Sequence, residues 1–473
     1  MNKPPLLLID LPVYPKGILS LSLYVVASCL EKIFEPEIID LNLEDDDKIS
    51  WENYACVGIK VSAQNYRFAV AITHKVRRYN PNAKVLWGGE FPTMLPMEAS
   101  KHADITICGL IENIASEFMT DWQAGNLKKI YSSGRDVLHV FNSPKWELLH
   151  NYHAYSSVMG MPLETSRGCT EKCSFCMVHI MQQKPYALKD YGMLDSELKY
   201  YTGRFVNIID YNFGVSKEHV LRVASLLRKN RVAGWMAEMC IEFLDDDEIL
   251  YALRESNCKI IYCGLETIDD SALRSIHKMH TNIIDNYERI IRKTQSYGIQ
   301  IGAGFILGLE NTTLDTFRNT LAFFQRNKLL YVKLTFLTYN PGSKAHQYMA
   351  KKGTYIGNDY SLYDGIHLSY LPHGVNEELI MEGAKYFIRQ FYSPASLAKR
   401  IFPQKNLSFW TKLELFGFVW LYSSVYREWL KCGLLQIPQN EEIFFKKLLS
   451  VKYRKSIFTK LLEKFIQFCR SNN

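Results

Sequence analysis

Nowhere in its 473 residues does the chain hold the ~18 unbroken apolar residues of a membrane-spanning helix. The closest approach, residues 413–426, is shorter and carries Glu414. The start, MNKPPLLLIDLP, has an apolar run of only four residues before Asp10, which is not the pattern of a secretory signal. A cytoplasmic setting with reduced thiols is therefore expected, and the odd count of eleven cysteines argues against a disulfide framework. There is no internal repeat and no low-complexity segment. No histidine precedes His74. With 47% hydrophobic and 13% aromatic residues, the chain can bury sizeable cores, which excludes wholesale disorder. Its length implies two to four domains.

Charge is scarce in one place and concentrated in another. The net charge is +7, yet fourteen basic residues stand against five acidic ones from Lys399 onward, leaving the first 398 residues near neutral. Such a tail suits an anionic partner, such as acidic lipid, nucleic acid or another protein, or is a solvated basic helical face.

Over the first 125 residues short apolar runs at 6–9, 37–41, 55–61, 84–87 and 104–108 alternate with helical periodicity at 21–32, 66–79 and 111–122. This pattern predicts a parallel sheet covered on both faces, with ligands beyond the strands' C-terminal ends. Residues 131–145 read as a linker. A second alternation follows. Strands are expected at 161–164, 205–209, 235–239, 259–263, 300–306 and 331–336, with helices at 219–230, 246–255, 282–297 and 313–327. Six β/α units imply a full or partial barrel that binds substrate on the same kind of face. After about residue 350 no further strands are expected, and the chain reads as helical. The fold class is α/β in three parts: 1–140, 150–350 and a helical 351–473.

The segment RGCTEKCSFCMVH puts Cys169, Cys173 and Cys176 in one loop directly after the first barrel strand. Three such thiolates bind soft metal, either zinc or an iron–sulfur cluster. Zinc would want a fourth ligand, for which His179, Cys108, Cys240, Cys258 and Cys263 are candidates. The C-x3-C-x2-C spacing, Phe175 before the third cysteine and the place after the first strand together resemble the radical S-adenosylmethionine (SAM) superfamily. The resemblance implies a [4Fe-4S] cluster on the three cysteines, with SAM on the open iron and cleavage to a 5′-deoxyadenosyl radical. Phe175 lies within this motif and is a SAM-site candidate. VNIIDYNF (206–213) resembles the family's second-strand segment, which makes Asp210 or Asn212 a candidate for the methionine amino group, unless Asp210 only caps a turn. YCGLET (262–267) with HKMHT (277–281) resembles the fourth-strand segment and makes Glu266 a candidate ribose contact or a buried, salt-bridged brace. GFILGLENTT (304–313) resembles the fifth-strand motif, with Glu310-Asn311 in place of Pro-Gly. LTYNPGS (337–343) is similar to the sixth-strand exit, and residues 384–401 to the helix after the barrel.

A Rossmann-like, flavodoxin-like domain ahead of this barrel resembles the cobalamin-binding branch of the family, and the likeness spans roughly residues 4–401. It implies cobalamin contacts at Ser62 in VSAQ, at Gly88 and Gly89 in WGGEFPT, and at Gly109 and Glu112 in CGLIE. Pro12 stands where the family's cobalt-ligating histidine would be, which argues against a ligand from below and is compatible with binding or with a vestigial domain. The function implied is methyl transfer to an unactivated carbon of a small-molecule or lipid substrate, fed by a reductant such as flavodoxin or ferredoxin. Alternatives are a radical cyclisation, rearrangement, dehydration or oxidation with a vestigial cobalamin domain, and a non-enzymatic zinc- or cluster-stabilised protein that binds RNA or membrane. For the enzyme a nucleic-acid partner is not expected. Residues 444–470 have the pattern of a basic amphipathic helix that lies in a membrane interface or packs on the barrel and covers the substrate entrance.

Overall fold

The structure is a computed structural model that describes residues 3–432, apart from 13–18, 134–139, 151, 153–154, 156–159, 179–185, 280–281 and 356–358. Its N-terminal half is a six-stranded, all-parallel sheet of β1 (Pro5–Asp10), β2 (Glu35–Asp40), β3 (Cys56–Lys60), β4 (Lys84–Gly88), β5 (Ile105–Cys108) and β6 (Ile130–Ser132). The spatial order is 2-1-3-4-5-6. Period-two alternation explains why it is covered on both sides. Leu6 and Leu8 of β1 join the core beneath helix Ser22–Leu30, while Leu7 and Ile9 join the opposite one. That second core receives Ala69, Ile72 and Val76 of helix Tyr66–Tyr79, spaced at three and four residues along one face.

The second sheet begins with β7 (Met161–Leu163). A short antiparallel pair, β8 (Ser166–Gly168) and β9 (Tyr186–Leu188), flanks the cysteine loop. The sheet continues with β10 (Phe205–Ile208), β11 (Gly234–Glu238), β12 (Cys258–Glu266), β13 (Gln300–Leu307) and β14 (Tyr331–Phe336). Neighbours in this sheet follow chain order, and every pairing is parallel. β7 and β14 are its edges among the described residues, so the barrel is partial. Its helices start where side chains cap them: Ser216 before Lys217–Lys229, Asp246 before Asp247–Glu255, and a Thr313/Thr316 capping box before Leu314–Arg326.

Four expectations need correction. β6 lies at the start of the stretch read as a linker, and its three residues carry no periodic signal. Residues 111–122 split into a 3-10 turn, Ile111–Asn113, and a helix, Ala115–Ala124. Strands do not end at 350: β15 (Gly353–Tyr355) pairs antiparallel with β16 (Tyr370–Pro372). Residues 384–401 span two helices, Glu377–Phe391 and Pro394–Ile401, because Ser393 caps a new helix that has Pro394 in its first turn.

The C-terminal helices close the open edge at β14. The Tyr392 hydroxyl accepts from Val332 N at 3.0 Å and donates to Val332 O at 2.5 Å. On helix Phe409–Cys432, the Tyr426 hydroxyl accepts from Leu334 N at 3.0 Å and donates to Val332 O at 3.1 Å. Buried Arg400 donates to Leu330 O at 2.8 Å and Phe391 O at 2.9 Å. Side chains thus saturate an edge that would otherwise invite another strand. No helix among the described residues is long and apolar enough to cross a membrane. The basic segment 444–470 lies outside the described residues.

Losing one of these hydroxyls leaves buried β14 backbone groups short of a partner. Tyr392→Phe and Tyr426→Phe are each expected to lower the unfolding free energy by about 1–3 kcal/mol in denaturant titrations.

Candidate active site

The C-terminal ends of both sheets open on one cavity of about 400 Å³. Ser62, Ala63 and Gln64, which follow β3, and Glu90, which follows β4, form one wall. The opposite wall carries Phe175 and Met177 of the cysteine loop, with Glu238, Tyr262, Glu266 and Lys333 from the second sheet.

Cys169, Cys173 and Cys176 are half-buried. The loop is tied down by Cys176 N donating to Cys173 O at 3.2 Å and Ser174 N to Ile276 O at 3.1 Å. Burial pushes the Cys173 thiol up to about 12 and raises Cys169 and Cys176, while the nearby Lys278 charge works the other way. Such thiols give up protons to a cation that replaces them. Among the described residues no three His, Cys, Asp or Glu side chains converge on a point suited to a single ion. Cys108 donates to Pro92 O within the first sheet's cover, and Cys258 stands at the far end of β12. His179 lies outside the described residues. Three thiols carried on one short loop are a donor set that suits an iron–sulfur cluster, and Cys240 lies near enough to Cys169 to feel its charge.

Asp210 and Asn212 lie outside the cavity lining. The Asp210 carboxylate accepts from Thr165 N at 2.7 Å, Thr165 Oγ1 at 2.5 Å and Ser166 Oγ at 2.6 Å. It therefore braces the root of the cysteine loop. Burial lifts its pKa to about 6 against the pull of these hydrogen bonds. His219, 2.9 Å from Thr165 Oγ1, is pushed down to about 4 by burial and stays neutral. Asn212 Oδ1 accepts from Gly214 N and Cys240 N at 3.2 and 3.3 Å, which joins the exits of β10 and β11.

Glu266 lines the cavity and pairs with Lys278 at 2.6 Å, the buried, salt-bridged arrangement. It sits at a register shift in β12 with φ near +64°, a left-handed conformation that turns its side chain out of the strand's alternation. A Cβ on Gly264 would meet Lys278 Nζ at 2.6 Å, so glycine there admits the pair. Lys278 also donates to Gly264 O at 2.8 Å. Burial opposes its charge, but Glu266 outweighs that and holds its pKa above the lysine range.

Glu90, Glu238 and Lys333 line the same cavity and have no hydrogen-bonded or ion-paired partner among the described residues. Glu238 keeps open surface on the cavity lining while dense protein surrounds it. Burial consequently lifts it to about 7, with Lys333 acting against the shift. Glu90 rises to about 7 for the same reason, with Lys60 opposing. Sequence reasoning passed over these three. Glu90 and Glu238 each stand at a strand exit, which was the signal available, whereas Lys333 sits mid-strand and gave none.

In the first sheet Ser62 lines the cavity, and its N–H is held by Asn65 Oδ1 at 2.8 Å. Gly88 ends β4. Gly89 has φ near +108°, and a Cβ there would lie 2.9 Å from Val61 O. Gly88, Gly89, Gly109 and Glu112 are all outside the lining. Gly109 N donates to Thr93 Oγ1 at 2.9 Å, and a Cβ at Gly109 would run into the Ser133 side chain. Glu112 forms a buried ion pair with Arg167 at 2.6 Å. Pro12 leads into 13–18, which lie outside the described residues.

Residues 163–324 match the Radical SAM superfamily model. The second sheet and its cysteine loop thus carry a radical SAM domain, and the protein is an enzyme. The chain is 24% identical over 389 residues, 80% of its length and 84% of the relative's, to bacteriochlorophyllide d C-12(1)-methyltransferase of Chlorobaculum tepidum. Among solved structures it resembles the radical SAM methyltransferase TsrM of Kitasatospora setae with cobalamin and a [4Fe-4S] cluster bound, with a TM-score of 0.66, 16% identity, and 89% of this chain and 99% of that one covered. It also resembles the cobalamin-dependent radical SAM enzyme OxsB with aqua-cobalamin bound, with a TM-score of 0.66, 14% identity, and 100% and 81% covered.

Glu90 and Glu238 titrate near 7 when folded and near 4.5 when unfolded. A raised carboxyl pKa means that the folded state holds the proton longer, so these groups subtract stability as pH rises from about 4.5 to 7. The Glu90→Gln/Glu238→Gln variant is expected to lose less stability than the parent between pH 5 and 7.5 when the ligand-free proteins are melted across that range.

Proposed function

We propose that the protein is a cobalamin-dependent radical SAM methyltransferase acting on an unactivated carbon of a small-molecule or lipid substrate. The observation that carries this reading is the shared cavity, which has the cysteine loop on one wall and the β3 and β4 exits on the other. Bound there, a [4Fe-4S] cluster with SAM supplies a 5′-deoxyadenosyl radical, and cobalamin supplies a transferable methyl group. The similarity to a methyltransferase over 80% of the chain, and to two cobalamin-containing structures over most of it, supports the assignment.

The chain's own residues have separable tasks. Cys169, Cys173 and Cys176 hold the cluster, and Asp210 fixes the backbone from which they hang. Phe175, Met177 and Tyr262 supply apolar wall. The Glu266–Lys278 pair presents a neutralised polar surface, with Glu266 toward the ribose of SAM. Ser62, Gly88 and Gly89 form the cobalamin side, where small residues let backbone approach a bulky ligand. Glu238 and Lys333 remain to orient substrate. An electron comes from a flavodoxin- or ferredoxin-type reductant. Of the five expected cobalamin contacts only Ser62 lines the cavity, which favours a second reading, in which the first sheet is vestigial and the same radical drives a reaction without methyl transfer.

Anaerobically reconstituted protein is expected to release 5′-deoxyadenosine on reduction, and Cys173→Ala to abolish both that release and cluster iron. Desalted protein should retain hydroxocobalamin, with Ser62→Leu losing it while cluster iron and melting temperature hold. Turnover with a deuterated methyl donor over a metabolite pool should yield a labelled product by mass spectrometry. Deoxyadenosine release with no label transferred and no corrinoid retained would establish the second reading instead.

A further inference from the structure

Arg167 stands two residues before Cys169, and its guanidinium is buried where the two halves of the molecule meet. Its Nε and Nη2 donate to Glu164 at 2.8 and 2.7 Å, the same Nη2 to Glu112 at 2.6 Å, and Nη1 to Val140 O at 3.0 Å. Phe141 lies beneath the plane, 4.4 Å from ring centroid to Cζ. A planar fork bound on this many sides has one orientation, and the backbone that bears it is the start of the cysteine loop.

Glu112 extends the contact across the first sheet. It lies on the turn after β5 that begins at Gly109. Gly109 N donates to Thr93 Oγ1 at 2.9 Å, and Thr93 Oγ1 donates to Gly89 O at 2.7 Å. Gly89 is followed by Glu90, which lines the cavity. Bonded side chains and one short turn thus join the β4 exit, where the cobalamin side of the cavity begins, to the residue that anchors the cluster loop. The barrel's own brace, Asp210 on Thr165 and Ser166, holds the preceding residues without touching the first sheet.

We propose that Arg167 is a positioning residue through which the first sheet sets the geometry of the cluster loop, so that corrinoid binding and cluster assembly strengthen one another. This rests on the cobalamin reading for its ligand but not for the Arg167–Glu112 link itself. Linkage makes the effect reciprocal: if the loaded cluster favours the cradle that binds corrinoid, corrinoid favours the loaded cluster by the same factor. Glu112, expected from sequence as a cobalamin contact, then acts on cobalamin through Arg167 and the loop.

The test uses full-length protein with hydroxocobalamin as probe, titrated by absorbance into the cluster-free and the iron- and sulfide-reconstituted forms. Reconstituted parent is expected to bind on the order of 10-fold tighter than the cluster-free form. That ratio should collapse toward one in Glu112→Gln. It should shrink in Thr93→Val, which removes the relay hydroxyl without disturbing a buried charge and covers the case in which Glu112→Gln fails to fold. The electron paramagnetic resonance spectrum of the reduced cluster, recorded without corrinoid, should change in Glu112→Gln and in Arg167→Lys at unchanged iron content. Equal affinities for the two forms of the parent, or an undiminished ratio in Thr93→Val, would overturn the coupling. If neither form binds hydroxocobalamin, the cobalamin reading fails and the spectrum decides the rest: a changed signal keeps the positioning role, and an unchanged one removes it.

Discussion

A parallel sheet has only one kind of place for function. Its crossover helices cover both faces, so what remains free is the row of loops after the strands' C-terminal ends. This chain has two such sheets in succession, and both rows look into a single cavity. Each functional feature follows from that constraint. The cysteine loop leaves β7, Glu238 ends β11, Glu266 ends β12, Ser62 follows β3 and Glu90 follows β4. None of the two cores' apolar residues needs to change for the site to change, so the fold tolerates different chemistry at its mouth.

Charge inside this junction divides into two populations. Arg167 with Glu112 and Glu164, and Lys278 with Glu266, are satisfied by ion pairs and serve geometry. Glu90, Glu238 and Lys333 face open cavity and make no hydrogen bond or close ion pair among the described residues. Charged side chains left open to the cavity in this way are the natural contacts for polar groups of cofactor or substrate.

The architecture was legible because both sheets announce themselves through strong periodic signals. β14 begins and ends where its apolar run does, and the barrel helices fall within two residues of their expected ends. What escaped was short or held by tertiary contact: β6, β15 and β16 have three residues each. At the site, the cysteine triplet was readable because its spacing is local. Roles that depend on distant partners were not. Asp210 carries a motif's signature yet serves Thr165, forty-five residues away, and Glu112 serves Arg167, fifty-five residues away. Residue type and strand position told that these side chains matter; direction, which decides whether each meets ligand or protein, is set by packing that no linear pattern encodes.

Among the described residues the barrel has six strands and two open edges, which receive opposite treatments. At β14 the tyrosines of the C-terminal helices meet the backbone groups and seal them, with Arg400 holding the strand's approach. At β7 the strand lasts three residues before the chain turns away through Thr165, Ser166 and Arg167 into the cysteine loop. The first edge is closed by hydroxyls that are replaceable as a set, whereas the second is shaped by a carboxylate from β10's exit and another from the first sheet. The second edge is therefore where the two halves must agree in position. A shift of the first sheet relative to the barrel would move Arg167, and with it the cysteine backbone, and would shear the core that the sheet and the barrel share through Tyr24, Trp146 and Tyr201. Placing the cysteine loop on the more conditional of the two edges ties its geometry to the neighbouring sheet, which a fully closed barrel with no free edge would not do.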